Sequence, residues 1–159
     1  MEGGELTKIV KMAKYVNMTL SEEFCRYTLF CVASGLRDLH EKNVLHRDIK
    51  SDNILFKADG TIKIADLGFS VLLTKETERR MTSLGTLSWM SPEIAQGCPY
   101  AKEVDVWSFG CFAFELTKGS PPYNEHVADA GTFLEKLRSQ DEIERLPEQY
   151  SDQFADFVR

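Results

Sequence analysis

At 159 residues and a net charge of −6, the chain is long enough for one domain with its own core. That charge argues against nucleic acid or an anionic membrane as the main partner. Hydrophobic residues at 43% and charged residues at 28% are ordinary for a soluble globular protein. No apolar run reaches the length of a membrane span, and Met1-Glu2-Gly3-Gly4 does not open a signal peptide. Cys25, Cys31, Cys98 and Cys111 form no CxxC pair. Reduced thiols in the cytoplasm, or the nucleus, are therefore expected. His40, His46 and His126 show no metal-ligand spacing.

Leu6, Ile9, Val10 and Ala13 recur at helical spacing, so a short helix is predicted over residues 5–14. Ser21 is an N-cap candidate with Glu22 and Glu23 in the first turn. Phe24, Thr28, Cys31, Val32, Gly35 and Leu39 mark the buried stripe of that second helix, which Lys42-Asn43 ends. Next comes a polar stretch, His46-Arg47-Asp48-Ile49-Lys50-Ser51-Asp52-Asn53, between the apolar pieces Val44-Leu45 and Ile54-Leu55-Phe56. It reads as a loop held between two short strands. Residues 54–64 read as a hairpin turning at Asp59-Gly60. Residues 70–90 lack periodicity and read as a long exposed loop. Ser91-Pro92-Glu93 opens a short helix. Residues 103–118 are apolar on almost every side, as suits a helix at the centre of the domain, and Gly119-Ser120-Pro121-Pro122 stops it. Trp107, Phe109, Phe112 and Phe114 are assigned to the core, and His40 and His126 to helix ends or the surface. Two weaker helices are predicted near 129–138 and 151–158. The expected fold class is mainly α with a small β-hairpin.

Asp48, Lys50 and Asn53 place a carboxylate, an ammonium and an amide in one loop. Such a set suits phosphoryl transfer: a carboxylate to orient a hydroxyl, a cation for the moving phosphoryl group, an amide oxygen for a metal. A solvated charged turn is the plain reading of any one of them alone. Asp66, 13 residues beyond Asn53, is returned beside it by the hairpin. Together the two make a hard oxygen site suited to Mg²⁺ with ATP phosphates completing the shell.

With these residues in place the chain resembles the eukaryotic protein kinases. His46-Arg47-Asp48 with Asn53 is similar to the catalytic loop, Asp66-Leu67-Gly68 to the DFG motif and Ser91-Pro92-Glu93 to the APE motif. Asp105-Val106-Trp107 opens the central helix. Ser51-Asp52, Gly85-Thr86 and Trp89-Met90 most resemble the STE20/p21-activated kinase group. The resemblance implies a serine/threonine protein kinase that transfers the γ-phosphoryl of ATP, with Mg²⁺, to Ser or Thr hydroxyls in intracellular signalling. It implies that Asp48 is the catalytic base and that Lys50 contacts the γ-phosphate. Asn53 and Asp66 would hold Mg²⁺, and Leu55 would pack under the adenine. Thr86 would bond to Asp48 and Lys50, and Asp105 would be the buried acid behind the loop. His46 and Glu93 would give structural support.

The sequence departs from the family in several places. Leu67 stands for Phe as an apolar plug, Ser91 for Ala, and Leu87-Ser88 where relatives often have Pro-Tyr. There is no Gly-rich loop, strand lysine or helix glutamate, and no late arginine to pair with Glu93. The resemblance thus implies that residues 1–159 are a partial kinase domain, the large C-terminal lobe without the small lobe. Either a fragment of a longer protein or a truncated gene product is expected. A kinase-lobe fragment without catalysis, acting as a binding or scaffold module, is the alternative.

Two further expectations concern regulation and substrate. Thr82, four residues before Thr86, would be phosphorylated by an upstream kinase or by autophosphorylation, with Arg47 pairing the phosphate. The plain reading is one hydroxyl among many. Protein substrates would be basic upstream of the acceptor, drawn by Asp52 and by Glu5, which is placed like the ribose-contacting acid of basophilic kinases. The plain reading of Glu5 is a cap on the first helix dipole.

Overall fold

A computed structural model describes residues 3–74, 86–122, 129–138 and 145–158. Thr82, Gly85 and His126 lie outside the described residues.

Strand β1 (Gly3–Glu5) runs directly into helix α1 (Leu6–Tyr15). Residue 5 was expected to begin the helix. Instead it closes a third strand on the hairpin, pairing opposite Leu55. Paired glycines read as a break in sequence, and only the neighbouring strand reveals their extended state.

Helix α2 (Glu22–Glu41) begins at Ser21, whose Oγ accepts the Phe24 N–H at 3.3 Å. Its buried line is Cys25, Thr28, Leu29, Val32 and Leu36. Of the expected stripe, Thr28 and Val32 are buried, while Phe24, Cys31, Gly35 and Leu39 are half-buried. The helix is covered on two adjacent faces, and the packing partners set the angle. Gly35 permits one of these contacts, since a Cβ there would come 3.0 Å from Ile64 Cδ1.

Strand β2 (Val44–Leu45) precedes the polar loop, which ends in a 3₁₀ turn at Ser51–Asn53. Strands β3 (Ile54–Lys57) and β4 (Ile62–Ile64) form the expected hairpin, and the sheet order is β1-β3-β4, all antiparallel. The loop's flanking strands belong to different sheets: β2 pairs with β5 (Val71–Leu72), inside the stretch expected to be loop throughout. Two residues are too few to show a period of two.

A 3₁₀ turn at Leu87–Trp89 leads to α3 (Pro92–Ala95), with Ser91 at its N-cap and Pro92 at N1. Helix α4 (Glu103–Lys118) ends at Gly119 with φ of 75°. Phe112 and Phe114 are buried as expected, but Trp107 and Phe109 are half-buried and Val106 is exposed. Helices α5 (Ala130–Arg138) and α6 (Asp152–Val158) complete the chain. The carboxylate of Glu22 ties α6 to the start of α2: it accepts the Ser151 N–H at 2.7 Å and the Ser151 hydroxyl at 2.9 Å.

Two apolar clusters form among the described residues. The larger joins α1, α2, α4 and α6 with Ile49, Ile54 and Ile62. The smaller holds Leu45, Met90, Ile94, Tyr100 and Val104. The polar loop is anchored in both, by Ile49 in the first and Leu45 in the second. All four cysteines are free, and burial pushes the Cys25 thiol up to about 11 and the Cys111 thiol up to about 12. No helix among the described residues is long and apolar enough to cross a membrane.

Candidate active site

The loop from His46 to Asn53 is fixed from below by Asp105, in the first turn of α4. Asp105 is fully buried. Its Oδ1 accepts the Arg47 N–H at 2.7 Å, and its Oδ2 accepts the His46 N–H at 2.9 Å. Oδ2 also lies 2.8 Å from His40 Nε2. A buried carboxylate needs such donors, because desolvation without them is costly. His40, read from sequence as a helix-end residue, is thereby part of the anchor. Its signal was thin: a lone histidine in the last turn of a helix.

His46 is buried and holds the loop to the hairpin. The Asp48 N–H donates to His46 Nδ1 at 3.3 Å, so the ring proton sits on Nε2 and donates to the Ala65 carbonyl at 3.0 Å. Arg47 adopts φ of 68°, a conformation costly for a residue with a Cβ. Its Nε donates to the Phe69 carbonyl at 2.6 Å, and its Nη1 to the Tyr100 hydroxyl at 3.0 Å. Two of the five guanidinium donors are thus committed within the chain.

Asp48, Lys50, Asn53 and Thr86 converge on one another. Thr86 Oγ1 donates to Asp48 Oδ1 at 2.9 Å and accepts from Lys50 Nζ at 2.6 Å. Lys50 Nζ lies 2.8 Å from Asp48 Oδ2. Asn53 Nδ2 donates to the Asp48 carbonyl at 2.7 Å and to Oδ2 at 2.8 Å. Burial pushes the Asp48 carboxyl up, but the bonds from Lys50, Thr86 and Asn53 outweigh it and hold the group below the usual range. Asp48 is therefore an ionised, oriented carboxylate at neutral pH.

Asn53 Nδ2 is spent on Asp48, which leaves its Oδ1 as the free end of the amide. The Ala65 N–H donates to the Asn53 carbonyl at 2.8 Å, so Asp66 starts beside Asn53, as the hairpin implied. Asp66 is exposed, has φ of 59°, and accepts the Gly68 N–H on Oδ1 at 3.0 Å. An amide oxygen and a carboxylate are hard donors of the kind Mg²⁺ takes. No group of three or more His, Cys, Asp or Glu side chains able to hold a metal occurs among the described residues, so a bound cation would need oxygens from elsewhere.

Other expected residues stand further out. Leu55 is half-buried on β3, one step out of line with buried Ile54. Leu67, expected as an apolar plug, is 56% exposed. Glu5 makes no side-chain cap to α1 and instead lies 3.7 Å from Lys8. Asp52 has Lys11 at 4.0 Å. Among the described residues none forms an ion pair with Glu93.

Sequence reading missed Glu115. It lies in the apolar helix α4 and is 5% exposed. Its Oε2 accepts the Ser51 N–H at 3.2 Å and the Trp89 indole N–H at 3.1 Å, and its Oε1 accepts the Ser51 hydroxyl in a short bond. The available signal was an acid in an apolar run.

The closed Asp48–Lys50–Thr86 cluster therefore stands beside Asn53, with Asp66 one residue beyond Ala65, whose N–H bonds back to Asn53. The chain matches the protein kinase domain family over residues 1–159 and belongs to that family. It is 38% identical over 161 residues to serine/threonine-protein kinase pakB of Dictyostelium discoideum, covering 100% of this chain and 18% of that protein. It is 40% identical over 162 residues to serine/threonine-protein kinase shk1/pak1 of Schizosaccharomyces pombe, covering 99% of this chain and 23% of that one. It is 44% identical over 123 residues to serine/threonine-protein kinase ste20 of Aspergillus fumigatus, covering 77% and 14%. These relatives are of PAK/STE20 type, and the chain groups with them. It spans less than a quarter of the length of each of these three.

Proposed function

We propose that the chain is the large lobe of a serine/threonine protein kinase, and that its site transfers the γ-phosphoryl of ATP to Ser or Thr hydroxyls of proteins. The observation that carries this reading is the closed Asp48–Lys50–Thr86 arrangement, with separations of 2.8, 2.6 and 2.9 Å.

In this reading Asp48 orients the acceptor hydroxyl and takes its proton as transfer proceeds; the bonds that lower its proton affinity keep it ionised, and so able to accept, at neutral pH. Lys50 neutralises negative charge on the phosphoryl group in transit. Thr86 stands between them and fixes their distance. In this reading Thr86 favours Ser and Thr as acceptors. Asn53 and Asp66 would hold Mg²⁺, which when bound neutralises phosphate oxygens of ATP. Leu55 would lie under the adenine. Little covalent work is asked of the protein, so the network from Asp105 through His46 and Arg47 contributes by positioning.

Three finer roles belong to the same proposal. Asp52 and Glu5 would favour acceptors with basic residues upstream, in competition with Lys11 and Lys8. Phosphorylated Thr82 would draw on the uncommitted donors of Arg47. The setting would be cytoplasmic.

The test is transfer of labelled γ-phosphoryl from ATP with Mg²⁺ to a panel of Ser, Thr and Tyr peptides. Label on Ser and Thr peptides supports the reading. Label on none, with partner capture retained, would make the chain a binding module instead.

A further inference from the structure

Helix α1 lies against the 3₁₀ turn Ser51–Asn53, with Leu6 and Val10 sunk in the larger apolar cluster. In that turn Ser51 and Asn53 are buried, and Asp52 between them is exposed. Its carboxylate is therefore the charge that the turn shows to solvent, one residue from Asn53. Lys11 Nζ, on α1, lies 4.0 Å from Asp52 Oδ1. One turn earlier on α1, Lys8 Nζ lies 3.7 Å from Glu5 Oε2. Lys8 and Lys11 are three residues apart, so they fall within about 60° of one another on the helix. Their side chains are 72% and 74% exposed. Lys14 does not join them: its stem lies against Gly119, where an added Cβ would come 3.0 Å from Lys14 Cβ.

Each of the two acids placed to meet a basic substrate residue thus has its own lysine, and the four charges cancel. Carboxylates draw a substrate cation only as far as their charge is left uncompensated. An Arg or Lys of a peptide that approaches Asp52 meets Lys11 already beside it. It either displaces Lys11 or shares the carboxylate with a like charge. An exposed pair of this kind is weakly held, so Lys11 does not abolish the attraction. It lowers it by the worth of the pair, about two- to fivefold in affinity.

We propose that Lys11 is a specificity-determining residue. It compensates Asp52 from within the chain, as Lys8 does Glu5, so that peptides with neutral residues upstream of the acceptor are taken nearly as well as basic ones. The effect on transfer rests on the kinase reading; the compensation itself is read by peptide binding alone.

The test uses fluorescent Ser peptides that differ only in carrying Arg, Ala or Glu at one upstream position at a time. Fluorescence anisotropy gives their affinities, and the readout is the ratio of Arg to Ala peptide. In the wild type that ratio should stay below about threefold at every position. Lys11→Ala should raise it about two- to fivefold at the position that meets Asp52, and Lys11→Glu, which reverses the charge, about tenfold. Adding Asp52→Asn to Lys11→Ala should return it to the wild-type value. Salt at about 1 M should erase the differences, because the charges are exposed. A merely structural role for Lys11 would instead move all three peptides together. In the transfer assay the ratios of kcat/KM should follow those of affinity. A ratio that Lys11→Ala leaves unchanged overturns the proposal, and so does a rise that persists in the Asp52→Asn background. Ratios that shift as stated, with no transfer to any peptide, keep the compensation and reject the kinase reading. Transfer with unshifted ratios does the reverse.

Discussion

Lys50 Nζ and Thr86 Oγ1 lie 2.6 Å apart although 36 residues separate them in the chain. The bond ties the loop bearing Asp48 to the far end of a segment that sequence periodicity does not describe. Thr86→Val keeps the shape and removes the hydroxyl. It is expected to lower kcat roughly 10- to 100-fold, as a hydrogen bond to a charged group is worth about 1.5–3 kcal/mol. Thr86→Ser should restore most of the rate. Steady-state kinetics on one peptide decide it; a Val variant with wild-type kcat would separate Thr86 from the chemistry.

Asp105 accepts three donors in a site with no solvent exposure. Asp105→Asn keeps size but offers one acceptor fewer and a donor facing donors. The expected loss is about 1–3 kcal/mol for each group left unsatisfied. His40→Phe removes only one of the three bonds and should cost less. Urea unfolding of both variants checks the order, and a His40 variant as unstable as Asp105→Asn would contradict the assignment.

The two buried carboxylates with shifted values, Asp48 and Glu115, act on the pH dependence of stability in opposite directions. Asp48 has a lowered value when folded, so its contribution is full above the unfolded carboxylate value of about 3.9 and is lost as pH falls through the folded value. Glu115 is raised, so the folded state keeps its proton longer. Stability therefore falls as pH rises from the unfolded value of about 4.3 through the folded one. Glu115→Gln should flatten the second slope and leave the first. Denaturant midpoints measured across acidic pH read both, and an unchanged upper slope in the Gln variant would refute the Glu115 part.

Asp66 and Asn53 are expected to set the metal requirement. Asp66→Ala should raise the Mg²⁺ concentration for half-maximal transfer at least tenfold, more than Asn53→Ala, because it removes a charge. Titration of rate against Mg²⁺ at fixed ATP measures it. Equal Mg²⁺ dependence in wild type and Asp66→Ala would argue against a metal role.

Much of this was legible in the chain because the features are local. Ser21 and Ser91 announce helix starts, Gly119 a helix end, and Asp59-Gly60 a turn that brings Asp66 back to Asn53. Each depends on a few neighbouring residues. What was not legible depends on partners distant in sequence. Val71-Leu72 is a strand only because Val44-Leu45 lies alongside, and Gly3–Glu5 only because β3 does. The α2 stripe was right at Thr28 and Val32, but Cys25, Leu29 and Leu36 joined it because packing on two faces, not the periodicity, sets its angle. Glu115 and His40 were passed over because a single polar side chain in a helix carries no sign of what it reaches. The exposure of Leu67 shows the limit of reading a role from residue type alone.

The central claim is that Asp48 is the group that handles the acceptor proton, and it is tested most directly by Asp48→Asn. The variant keeps shape and the Asn53 contact to the Asp48 carbonyl. Transfer rate is to be measured at saturating ATP, Mg²⁺ and peptide, with nucleotide affinity read separately. A fall in rate of roughly 10²- to 10⁴-fold is expected, with nucleotide affinity little changed. A wild-type rate in Asp48→Asn would contradict it.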